Sequence, residues 1–119
     1  MKLRGTLTEQ AYREELKNSK YYLFNDSSMR RFLDIIRRTF PAMKTAHILF
    51  WTPEQGEDII SFLVDTDTVI KIELDRSDEA IEPIVDVYPI EFYLKGLSKI
   101  NQIKIAVALD LAKNDNYTH

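Results

Sequence analysis

The sequence predicts an α+β domain: two N-terminal helices, a central antiparallel meander of three to four strands, and a C-terminal helix packed on the sheet. Three observations carry this reading. Met29, Phe32, Leu33, Ile36 and Phe40 form one apolar stripe at helical spacing. From Thr45 onward apolar runs alternate with turn residues, and Ile70, Ile72 and Leu74 interleave with Lys71 and Glu73, as in a strand with one wet face. The tail after Ser98 is rich in alanine and leucine, both strong helix formers.

At 119 residues, 45% of them hydrophobic, the chain has the size and the apolar content of a single packed domain spanning 1–119. The first helix has two competing starts. Thr6 with Glu9 has capping-box spacing, whereas Thr8 as cap would let Leu7 staple onto Tyr12. Ala11, Tyr12 and Leu16 supply a thin apolar face, which is expected to fade at Asn18-Ser19. Tyr21-Tyr22-Leu23-Phe24 then reads as a short strand or a packed connector. Asn25 to Ser28 offer caps for the second helix, and Pro41 stops it, because proline disfavours helical backbone in the residue before it.

Ala46 to Trp51 is the first strand, with a turn at Thr52-Pro53-Glu54-Gln55-Gly56. Ile59 to Val64 follows, then a turn at Asp65-Thr66-Asp67, then the alternating strand through Leu74. Asp75 to Glu82 is a polar loop. Ile84 to Tyr88 reads as a fourth strand, and the bracketing Pro83 and Pro89 favour an edge position, since proline cannot donate to a ladder. Residues 89–97 fit strand or helix. So does the tail: Ile103, Ile105, Val107, Leu109 and Leu111 alternate, yet Ala106, Ala108 and Ala112 favour helix, the reading adopted here. Residues 114–119 are expected to fray.

Composition excludes several chemistries. With no cysteine there is no disulfide framework, thiolate metal site or cysteine nucleophile, and with three glycines neither a phosphate-cradling loop nor a dinucleotide fingerprint can be assembled. Asp65-Thr66-Asp67 opens like a calcium loop, but Ile70 and Arg76 stand where the required glycine and closing glutamate should be. No cofactor or metal is therefore expected. The start, Met1-Lys2-Leu3-Arg4-Gly5, leads into no apolar segment, and no window approaches about 18 apolar residues, so the expectation is a cytoplasmic protein with its native start and no membrane role.

Charge is unevenly laid out. Residues 1–44 hold ten Lys/Arg against five Asp/Glu, whereas residues 54–91 hold two against twelve. Arg30, Arg37 and Arg38, flanked by Arg31, share the face opposite the apolar stripe of the second helix, with Asp34 among them. Glu54, Glu57, Asp58, Asp65 and Asp67 crowd the hairpin turns. Such fields steer partners of opposite charge. Trp51 lies beside the first turn, and Tyr21, Tyr22, Tyr88 and Tyr93 are further interface candidates, because these residue types are enriched in interfaces.

Catalytic residues are scarce. Of two histidines, His119 is terminal and His47 lies in the first strand, where a half-buried ring satisfied by its neighbours is expected. Asp86, between two valines, reads as an outward-facing strand residue. The functional expectation is a non-enzymatic module, such as an immunity protein, antitoxin or inhibitor, docking Trp51, Glu54, Glu57, Asp58, Asp65 and Asp67 on a basic protein. The alternative is a small ribonuclease or nucleic-acid binder using His47 and the arginine face, disfavoured because an acidic sheet repels a phosphate backbone. A homodimer through an open strand edge is a third expectation.

Overall fold

The computed structural model describes residues 3–117. Thr6 wins the contest for the first cap: its hydroxyl accepts the Glu9 amide, while the Glu9 carboxylate reaches back to the amides of Arg4 and Gly5 at 2.8 and 3.0 Å. Helix α1 then runs Leu7–Asn25, through the aromatic run expected to lie outside it. The reason is packing: Tyr12, Leu16 and Leu23 continue one face, with Ser19 in line between them, and Leu16 and Leu23 are buried. Asp26 caps a 3-10 turn at Ser27–Met29, which feeds helix α2, Arg30–Thr39. Phe32, Leu33, Ile35 and Ile36 are buried, and Pro41 lies just past the end of α2.

The strands β1 (Ala46–Glu54), β2 (Glu57–Val64), β3 (Thr68–Asp75) and β4 (Ile84–Pro89) form one antiparallel sheet in the order of the chain. Proline-bracketed β4 is an edge strand, and β1 is the other edge. The first turn is tighter than expected: Glu54 pairs with Glu57, Pro53 lies within β1, and only Gln55-Gly56 turn, Gly56 taking φ +79°. Proline is tolerated there because an edge strand has one unpaired side.

Residues 90–94 form a single helical turn, α3 (Ile90–Leu94), and the tail is helix α4, Lys99–Tyr117, whose entry is capped by the Ser98 hydroxyl accepting the Asn101 amide. The apolar pattern nearly all round α4 is used: Ile105, Val107, Ala108, Leu111 and Ala112 are all buried. Asp115, expected to fray, is held within the helix.

The sheet is covered on both faces. Ile60, Phe62, Val64, Ile70, Ile72 and Leu74 pack against α2, whereas Leu63 and Val69 point to the opposite face and pack with α3 and α4. Helix α1 lies along the β1 edge and contributes Leu23 to the first cluster and Leu16 to the second. Among the described residues, no helix is long and apolar enough to cross a membrane.

Candidate functional site

An edge strand normally offers its outward amides to solvent. On β1 the amide of Ile48 instead donates to the Ser19 hydroxyl of α1 at 3.1 Å. Beyond that contact a groove of about 960 Å³ opens between the C-terminal half of α1 and β1, lined by Tyr21, Tyr22, Phe50 and Trp51, with Asn18, Asn25, Glu15 and Asp26 around it. Along this wall a bulge between Ile48 and Phe50 shifts the register of β1 against β2.

Trp51 is held in place although 43% exposed. Its ring sits 6.4 Å from that of Tyr22, whose hydroxyl shares a hydrogen bond with Ser28 at 2.8 Å. Its indole N–H donates to Asp58 at 3.2 Å, and the same carboxylate oxygen accepts Arg76 Nε at 3.0 Å. Arg76 also donates to the carbonyls of Glu54 and Glu57 at 2.9 and 3.0 Å, so one guanidinium ties the hairpin, Asp58 and the indole together. The carboxylates of Glu54 and Glu57 are exposed and have no hydrogen bond or ion pair among the described residues. On the groove's other side Lys104 is nearly buried, with Nζ 5.0 Å from the Phe50 ring and 3.6 Å from Glu15.

The acidic set read from the sequence is split. Trp51, Glu54, Glu57 and Asp58 gather at one end of the sheet. Asp65 and Asp67 lie at the far end of β2, about 24 Å away at a strand's rise per residue. Asp65, at φ 52°, accepts the amides of Lys44 and Thr45 at 2.9 and 3.0 Å and so ties the end of β2 to the connector before β1, and Asp67 accepts the Thr68 hydroxyl at 2.9 Å within the turn. Asp75 likewise folds its own loop. The amides of Asp78 and Ser77, with Arg31 nearby, hold its carboxyl below the usual range.

The arginine face is similarly divided. Arg31 turns toward the sheet and donates to the Asp75 carbonyl at 3.3 Å. Arg30 and Arg37 flank a hollow of about 290 Å³ that also holds Asp26 and Asp34, and Arg37 stacks 5.7 Å over Phe24. Arg38 donates to the Asp34 carbonyl at 3.4 Å. Carboxylates thus interrupt the cationic surface.

His47 is buried outright, 1% exposed, where a half-buried ring was expected. Its Nε2 lies 3.9 Å from Asp115, and its Nδ1 has no hydrogen-bond partner. Burial, joined by the charge of Lys20, lowers its pKa to about 4 against the pull of Asp115. Lys20 and the Thr45 hydroxyl meet the Asp115 carboxylate at 2.7 and 3.2 Å. Burial raises the Asp115 pKa, and Lys20 and Thr45 outweigh that, leaving it below the usual range. A ring so sealed cannot reach a phosphodiester from where it sits. His119 lies outside the described residues. Among those residues no three His, Asp or Glu side chains converge as metal ligands.

No protein-family model, curated protein or solved structure matches this chain. Tyr21 and Tyr22 in the groove are visible as aromatics in the sequence, but the pairing of Tyr22 with Trp51 depends on α1 continuing past Ser19. The signal that separates Asp65 from Glu54 was present, because consecutive turns of a meander lie at opposite ends of the sheet.

Proposed function

We propose that the chain is a non-enzymatic protein-binding module that takes an arginine- or lysine-rich segment of a partner protein into the groove between α1 and β1, in the manner of an immunity protein, antitoxin or small inhibitor. The observation that carries this reading is Trp51 fixed by Asp58 and Tyr22 in an open groove, with the exposed carboxylates of Glu54 and Glu57 outside its lining but further along the same hairpin. A rigid indole with tyrosines around it is the composition of an interface hot spot. Aromatic faces attract guanidinium and ammonium groups, and carboxylates at the rim steer them in. The absence of cysteine suits action in a reducing cytoplasm.

The test is a titration of a fluorescently labelled nine-arginine peptide by anisotropy at low salt. Glu54→Lys with Glu57→Lys should weaken binding at least tenfold and flatten its salt dependence. Asp67→Lys with Glu91→Lys, two exposed carboxylates at the other end of the sheet, should leave binding within twofold. Equal loss in both double variants would mean that the peptide reads only overall charge, and the groove reading would fail.

A further inference from the structure

The sheet edge opposite the groove is short and bracketed by Pro83 and Pro89, but its middle is more apolar than an edge usually is. Edge strands normally carry charged outward surfaces, but Ile84, Val85 and Val87 of β4 are 55%, 38% and 47% exposed, and Phe92 just beyond is 58% exposed. The ladder fixes which backbone groups are free. The Ile90 amide donates to the Asp67 carbonyl at 2.9 Å, and the register pairs Tyr88 with Val69, Asp86 with Lys71 and Ile84 with Glu73. By the alternation of an antiparallel ladder, Tyr88, Asp86 and Ile84 bond inward to β3, and Val85 and Val87 turn their N–H and C=O groups outward.

The stretch Pro83-Ile84-Val85-Asp86-Val87-Tyr88-Pro89 is close to a palindrome about Asp86. A two-fold interface requires a surface to complement itself, and this strand does so when reversed. We propose that β4 pairs antiparallel with β4 of a second copy, centred on Asp86, to make a continuous eight-stranded sheet. In this register Val85 and Val87 of one copy exchange four backbone hydrogen bonds with Val87 and Val85 of the other. Pro83 falls opposite Pro89, where the missing N–H groups end the ladder on both sides. On the α2 face, valine meets valine. On the other face, Ile84 meets the Tyr88 ring that stacks on Phe92 at 5.7 Å.

Like charges directly opposite one another destabilise a strand pair, and here the two Asp86 carboxylates meet at the centre, each with Lys71 on its outer side. The dimer is therefore reversible and concentration-dependent. This proposal is independent of the groove, which lies on the other edge.

The register is tested directly by cysteine, since the chain has none. Opposite residues in a non-hydrogen-bonded pair have Cα atoms about 4.5 Å apart, within disulfide reach. Asp86→Cys should cross-link into a covalent dimer with dissolved oxygen as oxidant, whereas Ile84→Cys, about 14 Å from its own counterpart in this register, should not. In sedimentation equilibrium, wild type should approach twice 14.0 kDa as concentration rises. Asp86→Asn should tighten the dimer several-fold, and Val87→Arg should leave a monomer with an unchanged far-ultraviolet dichroism spectrum. If Val87→Arg misfolds, Val85→Lys serves the same comparison. A wild type that stays monomeric, a dimer indifferent to both valine substitutions, or cross-linking that is equal at 84 and 86 would overturn the proposal.

Discussion

The hydroxyl of Ser19 both donates to the Leu16 carbonyl at 2.7 Å and accepts the amide of Ile48 at 3.1 Å, so one side chain fastens helix α1 to the edge strand that forms the other wall of the groove. An edge amide that would otherwise be unpaired is satisfied, and the helix is held at the distance that leaves the groove open.

Ser19→Ala removes that acceptor and strands the Ile48 amide. The expected cost is about 1–3 kcal/mol, because a partly buried donor loses its partner without regaining water. Urea denaturation should show a lower midpoint with an unchanged slope. Ser19→Thr, which keeps the hydroxyl, should recover most of the loss.

Acid should destabilise the fold through His47. The unfolded ring takes its proton at 6.5, whereas the folded one does so only at about 4. Between those values the unfolded chain binds more protons, so stability is full above 6.5 and falls as pH drops, by an amount on the order of 3 kcal/mol at the lower end. His47→Gln should flatten the dependence of unfolding free energy on pH across this window. A variant with the wild-type slope would assign the acid sensitivity elsewhere.

The capping box contributes at a lower pH. Burial pushes the Glu9 carboxyl up, and the amides of Gly5 and Arg4 together with Thr6 overcome it, so the group ionises below its ordinary 4.5. Its contribution is present above that value and is lost as pH falls through the folded one. Thr6→Ala should cost about 1 kcal/mol at neutral pH, and Thr8→Ala, whose residue caps nothing, should be close to neutral. Thermal melts of the two variants check this.

Arg76→Ala should release the hairpin. It frees the Glu54 and Glu57 carbonyls and leaves Asp58 to hold the indole alone, so Trp51 emission should shift to longer wavelength. Overall stability should change by less than about 1 kcal/mol, as expected for an exposed ion pair. Emission is a clean readout because the chain has one tryptophan.

Where one period ruled, the sequence was easy to read. The stripe from Met29 to Phe40 became helix α2 at Phe32, Leu33 and Ile36, with Met29 in the 3-10 turn before it and Phe40 at its C-cap, and the alternation from Ile70 to Leu74 became β3. The tail satisfied two periods at once because α4 is apolar nearly all round. Its choice of helix rests on Ile105, Ala108 and Ala112 sharing a face against the sheet, a tertiary preference that no local window contains. Helix α1 runs past the break its sequence suggests for a related reason. Ser19 looks like a breaker, but its polar group is consumed by Leu16 and Ile48, and the helix gains Leu23 by continuing. In the site, Trp51 and the two turn glutamates were legible from residue type. The roles of Asp58, Asp65 and Asp67 were not, since whether a carboxylate is free or bonded to backbone depends on contacts distant in sequence.

The most direct test of the groove is the accessibility of Trp51 itself. Acrylamide quenching of its fluorescence should fall at least twofold when the nine-arginine peptide is added at saturation, and Tyr21→Ala should require more peptide to reach the same protection. Unchanged quenching at saturating peptide would place the bound segment away from Trp51 and contradict the account.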